Sequence, residues 1–473
     1  MRLLIGMSKN RLKLFLENFL FYGGLRIITQ IVPFIMLPIV SRYLSETMYG
    51  IADIYNVLIF FGTQLVGLGI WDAMYREYFE KEELDYKMRV TSTALIITIT
   101  SGIFFGLILL FFKNKLSVYI FSGKEYSFLI VLAFFSININ SLKAILEAPI
   151  RMENRRKQSL IFGIITPILN YILILVFLKL KYTYESLIYS NLILNTFLLL
   201  IFLVLNYRYF NLKKYDKKIG RELLKIGIAI LPMALVYWIF NSFDRMMISK
   251  LLNMKEVGVY SVGTKVASIS QIVSSAFAGG WTYFSYLTMK DKNQKKMNSL
   301  IFEYLGIISI FLFLLSLPFI DLVFNNFFTG EYRRGAEVFP FLFLCPLFLM
   351  MNQTLSTQML IIKKAYLSTI SLTLGAVLNV VLNFYFIKKF GIKGAALSTL
   401  IGYFFSILIN LIINIKYRLN YLNYKFVYIL ILLWGVILLI FINNLLYKYL
   451  AMYLFVNIIV IYGKEILNIR NKF

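Results

Sequence analysis

YGGLRIITQIVPFIMLPIVSR, residues 22–42, is apolar almost throughout from Leu25 to Val40, yet it contains Arg26, with Thr29 and Gln30 a turn further on. A permanent guanidinium in such a run means one thing in a soluble core and another in a bilayer. Composition decides between them. Of 473 residues, 60% are hydrophobic and 15% charged, and the mean hydropathy is +0.75. Soluble domains carry about 45–50% apolar and about 25% charged residues. The excess is gathered into blocks of about twenty residues, the length that crosses about 30 Å of hydrocarbon as a helix. The chain reads as an all-α polytopic membrane protein.

Fourteen candidate spans follow one another, near 16–42, 49–74, 89–112, 126–150, 158–179, 185–206, 222–248, 257–283, 299–324, 336–362, 366–387, 392–415, 426–446 and 449–463. The start, MRLLIGMSKNRLKLFLENF, is basic and runs into the first span with no small-residue cleavage site, so that span is expected to serve as its own targeting signal. The single cysteine, Cys345, excludes an internal disulfide, and the absence of histidine excludes a His-ligated metal or a His base. No cofactor is expected.

The net charge of +26 does not point to nucleic acid, because its distribution is that of a membrane protein. With both termini cytoplasmic, about 31 Lys and Arg fall in the tails and inner loops against about 14 in the outer loops, the positive-inside bias. The densest cluster, NYRYFNLKKYDKKIGRELLK at 206–225, reads as an amphipathic linker on anionic headgroups.

The chain is also written twice. SRYLSETMYGI from Ser41 and SKLLNMKEVGV from Ser249 share Ser-basic-x-Leu and a later Gly, at an offset of 208. ILNYILILVFLK from Ile168 and VLNVVLNFYFIK from Val377 share a central Leu-Asn and a closing lysine, at an offset of 209. Two matches at one offset outweigh either alone. The offset equals six spans, an even number, so the halves are expected to be parallel repeats of the kind found in alternating-access transporters. The expected organisation is a six-helix lobe at 1–206, the linker at 207–221, a second six-helix lobe at 222–416, and two extra helices at 417–473.

The polar residues within spans fall on helix faces. Tyr22, Arg26, Thr29, Gln30 and Pro33 share one face of the first span, and Trp238, Asn241, Ser242, Arg245 and Ser249 one face of the seventh. Ser261, Lys265, Ser268 and Ser275 line the eighth, with Thr264 and Gln271 at the border. A charge at a helix centre costs roughly 2.5–3.5 kcal/mol on insertion scales, and such residues usually face a wet cavity or a bundle interior. Arg26 lies about ten residues, roughly 15 Å, from the inner end of its span. It reads as cavity lining, the alternative being a structural pair with Glu17 or Asp53. Arg245 can line the cavity, snorkel to the outer surface or pair with Asp244, and Lys265 is intermediate. Cations on several helices ask for an anionic substrate, a diphosphate or a carboxylate. Among the few acids, Asp53, Asp244 and Glu147 are candidates for coupling to a proton or cation. Lys143 with Glu147, and Asp72 with Arg76, also have the spacing of local helix pairs.

GVYSVGTK at 258–265 lacks the Gly-Lys-Ser/Thr of a phosphate loop and has no preceding strand, so ATP hydrolysis is not supported. GIFFG at 102–106 is the common small-xxx-small packing pattern.

PIVSRYLSETMYGIADIYN (38–56), FDRMMISKLLNMKEVGVYSVGTKVAS (243–268) and LNVVLNFYFIKKFGIKGAALSTLIGY (378–403) resemble the polysaccharide-transport branch of the multidrug/oligosaccharidyl-lipid/polysaccharide exporter superfamily. The resemblance implies a V-shaped two-lobe transporter, working as a monomer in a bacterial inner membrane without covalent chemistry. It would flip an undecaprenyl-diphosphate-linked oligosaccharide, with its energy drawn from an ion gradient or the membrane potential. Arg26, Arg245 and Lys265, with Gln30 and Asn241, are the positions that fit the cationic cavity of such flippases. Membrane lipids and polysaccharide-assembly enzymes are the partners to expect. The rival readings are a peptidoglycan-precursor flippase, a drug/cation antiporter of the same superfamily, and a membrane polysaccharide polymerase. Cationic stripes argue against the antiporter, and the short outer loops against the polymerase.

Overall fold

The computed structural model describes residues 29–470 apart from Lys292, and every regular element among them is helical. Arg26 and Glu17 lie outside the described residues. The elements are α1 (29–43), α2 (Glu46–Gly67), α3 (Ile70–Tyr78), α4 (Leu84–Phe111), α5 (Lys113–Phe121), α6 (Ser127–Met152), α7 (Arg156–Lys179), α8 (Glu185–Leu205) and α9 (Lys217–Trp238). They continue with α10 (Asp244–Leu251), α11 (Met254–Ala267), α12 (Gln271–Leu287), α13 (Gln294–Ser316), α14 (Phe319–Phe327), α15 (Phe339–Ile361), α16 (Ala365–Lys416), α17 (Tyr424–Phe441) and α18 (Tyr447–Arg470).

Ten helices among the described residues are long and apolar enough to cross a membrane. The sequence suggests fourteen spans; the first lies largely outside the described residues, one is cut, two share the single helix α16 and the last falls short of the ten. The expected span 49–74 stops at Leu68 and Gly69, both left-handed, before α3 begins. The expected span 257–283 is cut by a 3-10 turn at Ser268–Ser270. α16 holds two expected spans in 52 residues, joined at Gly391 with φ 62°. Among the described residues the apolar part of α18, Tyr447–Gly463, is shorter than the ten helices counted. α9 runs into α10 through a π-turn at Ile239–Phe243, giving one 35-residue span.

Packing gathers the helices into two compact units. One is Ile35–Ser261; the other takes Val262 onward together with the described residues before Ile35. The packing border thus lies beyond the 206–222 junction expected from the repeat. α9 packs on α2, α3 and α4 because glycines let it approach: a Cβ on Gly69 would stand 2.2 Å from the Gly227 carbonyl oxygen, and one on Gly227 2.4 Å from that of Leu68.

Within the first unit the basic linker is bonded to the start of α4. Three consecutive buried hydroxyls hold its backbone: Thr91 donates to the Tyr209 carbonyl, Ser92 accepts the Asn211 N–H at 2.8 Å and Thr93 that of Asp216 at 3.0 Å. Asp216 then caps α9, accepting the N–H of Lys218 at 2.8 Å and of Ile219 at 3.2 Å. In the other unit, buried Glu303 of α13 accepts from Asn423, just before α17, at 2.9 Å and from Tyr462 of α18 at 2.5 Å, tying the two C-terminal helices to the bundle.

Candidate functional site

The repeat found in the sequence reappears as a helix crossing inside the first unit. Ser45 caps α2, and one turn on Gly50 faces α11. A Cβ on Gly50 would lie 2.0 Å from the Met254 carbonyl oxygen, and a Cβ on Gly258 1.9 Å from that of Glu46. Gly50 and Gly258 are repeat partners at the offset of 208, and so are Glu46 and Met254, so the contact is reciprocal. A turn deeper, Ser261 donates to Asp53 Oδ2 at 2.7 Å, again between residues 208 apart. The two copies of the motif therefore meet about a local two-fold axis, and only glycine lets the backbones come this close.

Charge is concentrated beside that axis. The π-turn before α10 sets Arg245 toward α2, where Nε lies 3.3 Å from Asp53 Oδ2, an ion pair whose N–H is not aligned for a hydrogen bond. Asp53 is 4% exposed and the Arg245 side chain 15%. Asp244 accepts Arg245's own backbone N–H at 2.8 Å and the hydroxyl of Tyr260. The cluster thus holds two carboxyls and one guanidinium, away from water.

Arg26 lies outside the described residues, and each of the other residues expected from sequence has a definite place. Arg245, Asp53 and Asp244 are brought together, Arg245 pairing with Asp53 rather than with the side chain of Asp244. Asp53, the proposed alternative partner of Arg26, is engaged by Arg245 and Ser261. In the other unit, Gln30 Nε2 donates to Gln271 Oε1 at 3.3 Å, so the polar faces of the first and eighth expected spans do meet. Lys265 is half-buried one turn before the break in that helix, its carbonyl accepting from Ser268 at 2.6 Å. Asn241 is exposed and donates to the Tyr237 carbonyl at 2.7 Å. Glu147 pairs with Arg151 at 3.1 Å, whereas Lys143 donates to Asn195 at 2.6 Å; the expected Lys143–Glu147 pair is not the one formed. Arg76 likewise turns to Glu77, at 3.3 Å, and to Glu80, at 4.0 Å. Sequence reading passed over Tyr260 and the asparagines of α2, α6 and α8. Tyr260 lies in a quoted motif, but a search for charge does not register neutral groups.

These features define a multi-pass helical membrane protein with a buried charge cluster where repeated helices cross. The chain belongs to the polysaccharide biosynthesis protein family, whose sequence model matches residues 39–324. A curated relative, an uncharacterized membrane protein of Methanocaldococcus jannaschii, is 26% identical over 271 residues, 54% of this chain and 53% of that protein. The chain thus spans about half the length of that relative. Among solved structures, a lipid II flippase, MurJ, superposes with a TM-score of 0.68 at 18% identity, over 96% of this chain and 99% of its own. A multidrug resistance MATE family transporter of the MOP superfamily gives 0.63 at 14% identity, over 84% and 94%. A Vibrio cholerae MATE transporter gives 0.63 at 12%, over 86% and 98%. The fold is the one that these solved structures share.

Proposed function

We propose that this transporter moves an undecaprenyl-diphosphate-linked oligosaccharide repeat unit from the inner to the outer leaflet of a bacterial inner membrane by alternating access. The observation that carries the reading is the α2–α11 crossing, where residues 208 apart meet, in a chain of a polysaccharide-biosynthesis family. Carriers built from parallel repeats have this internal symmetry. The cargo's diphosphate would be met by Arg26, Lys265 and Arg245, with Gln30 and Asn241 beside them. A diphosphate reaching Arg245 competes with Asp53 for the guanidinium. Asp53 and Asp244 are therefore the coupling candidates of this reading, with Glu147 further away on α6. Both termini are cytoplasmic in it, a single chain suffices, and polysaccharide-assembly enzymes supply and consume the cargo.

The test is depletion of the protein in its host, followed by mass spectrometry of extractable polyprenyl-diphosphate lipids. Build-up of one lipid-linked oligosaccharide with loss of the matching surface polymer supports the reading and identifies the cargo. Build-up of the peptidoglycan precursor instead would make that lipid the cargo. New sensitivity to cationic drugs, with no lipid rising, would make the protein an exporter of drugs. Lipid-linked units stranded unpolymerised on the outer leaflet would indicate a polymerase. Arg26→Ala is expected to abolish transport while leaving membrane insertion intact.

A further inference from the structure

One face of α6 carries Ser136, Asn140, Lys143, Glu147 and Arg151, spaced four, three, four and four residues apart. Its N-terminal half opens, with Tyr55 and Asn56 of α2 and Asn191 and Asn195 of α8, into a cleft of about 70 Å³. Its C-terminal half, with Trp71 of α3, walls a second cavity of about 230 Å³. Lys143 stands between them and reaches Asn195 Oδ1 at 2.6 Å. Asn56, Asn140 and Asn195 lie ten, thirteen and ten residues from the starts of their helices at Glu46, Ser127 and Glu185. At 1.5 Å per residue that is roughly 15–20 Å into a hydrocarbon layer of about 30 Å. Asn56 is exposed to the cleft side and Asn140 half-buried, and among the described residues neither side chain makes a hydrogen bond. An amide without a partner at that depth is costly unless its surroundings are wet or a ligand meets it.

The lining chooses among ligands. A phosphate asks for a guanidinium fork or several cations, and the cleft has one ammonium already bonded to an amide. A metal cation would be repelled by that ammonium, which sits on one of the very oxygens that would ligate it. An apolar or cationic drug has no use for four amides. Hydroxyl groups, which donate and accept at once, match amides and hydroxyls that do the same. About 70 Å³ is the share of liquid held by some two waters. That admits the hydroxyl-bearing edge of a sugar ring and not a whole one. The wider cavity offers the indole of Trp71 as a flat apolar wall, with the Arg151 guanidinium 5.7 Å from its ring centre.

We propose that the cleft between α2, α6 and α8, with Lys143 at its rim and the Trp71 cavity beside it, is a carbohydrate subsite that holds sugar rings of the cargo through their hydroxyls. This rests on the reading of the chain as a carrier of a glycan-bearing lipid.

The experiment uses the full chain in lipid nanodiscs and two probes: the lipid-linked oligosaccharide extracted from depleted host cells, and undecaprenyl diphosphate without sugar. Wild type is expected to bind the glycolipid more tightly. Asn56→Ala combined with Asn140→Ala is expected to weaken the glycolipid roughly tenfold and leave the bare diphosphate unchanged. Should that variant lose its thermal transition, Asn140→Gln, which keeps an amide but fills the cleft, is read in the same way. Glycolipid binding unaltered in the folded variants overturns the subsite and leaves the transport reading standing. So does equal affinity of wild type for both probes. If wild type binds neither probe, the transport reading fails and the subsite falls with it.

Discussion

Asp53 and Arg245 come from distant parts of the chain and stand 3.3 Å apart, away from water. Removing one member of such a pair leaves the other charge stranded, which costs about 3–5 kcal/mol, whereas replacing both with apolar groups is often neutral. Arg245→Leu is therefore expected to lower the thermal midpoint of the purified protein sharply, and Asp53→Leu/Arg245→Leu to recover most of the loss. Additive losses in a tryptophan-fluorescence melt would mean that the two do not depend on each other. That these residues matter is legible in the sequence, because an ionisable group in an apolar run must have a reason to be there. Their pairing is not legible. Helix periodicity places Arg245 on a face but does not say which helix that face meets, and Asp244, its neighbour in sequence, is the wrong guess. The amides of α6 and α8 show the converse: they are cheap enough in a span to raise no flag, and only the packing gathers them.

Among the elements, the α2–α11 crossing is the most exposed to test. A methyl group on Gly50 or on Gly258 meets a backbone oxygen at 2.0 or 1.9 Å, which no side-chain rotation relieves. Overpacking of this kind costs about 1–3 kcal/mol. Gly50→Ala and Gly258→Ala are each expected to destabilise, and the double variant by less than their sum, since either one already parts the same two helices. A strictly additive result in denaturation would show that the glycines are crowded independently. A second element, α9, depends on its cap. Burial alone would raise the Asp216 carboxyl, but the N–H groups of Ile219 and Lys218 and the Arg89 guanidinium outweigh it and hold the group below the usual carboxylate range. A carboxyl lowered on folding contributes stability above its unfolded value, near 3.9, and loses that contribution as pH falls through the folded one. Asp216→Ala should cost about 1 kcal/mol at neutral pH, seen as faster tryptic cutting at Lys213 and Lys214, and the difference from wild type should shrink below about pH 4. Hydropathy finds most of the long helices but is blind to their breaks. The left-handed pair Leu68–Gly69, the turn at Ser268–Ser270 and the bend at Gly391 change the backbone without making it less apolar.

At the scale of the whole molecule the sequence carries the class and predicts a repeat and an orientation, while the grouping of helices into units follows from packing that no periodicity records. Two glycine pairs, Gly69 with Gly227 and Gly50 with Gly258, are what place α9 and the start of α11 with the first-half helices. Orientation can be tested directly, because the chain supplies a single cysteine and it is buried. In a Cys345→Ala background, Lys124→Cys and Lys213→Cys each put one thiol on an exposed position. Between them run α6, α7 and α8, each long and apolar enough to cross. Three crossings require opposite sides, and the positive-inside bias puts position 213 in the cytoplasm. A membrane-impermeant maleimide should therefore label position 124 in intact spheroplasts and position 213 only after lysis. Labelling of both from one side would remove a crossing from this stretch; the reversed pattern would invert the protein. The expected result sets the Arg151 end of α6 toward the cytoplasm, so the Trp71 cavity would open beside the inner leaflet, and cargo assembled there would meet an aromatic wall and an arginine before the amide cleft deeper in the span.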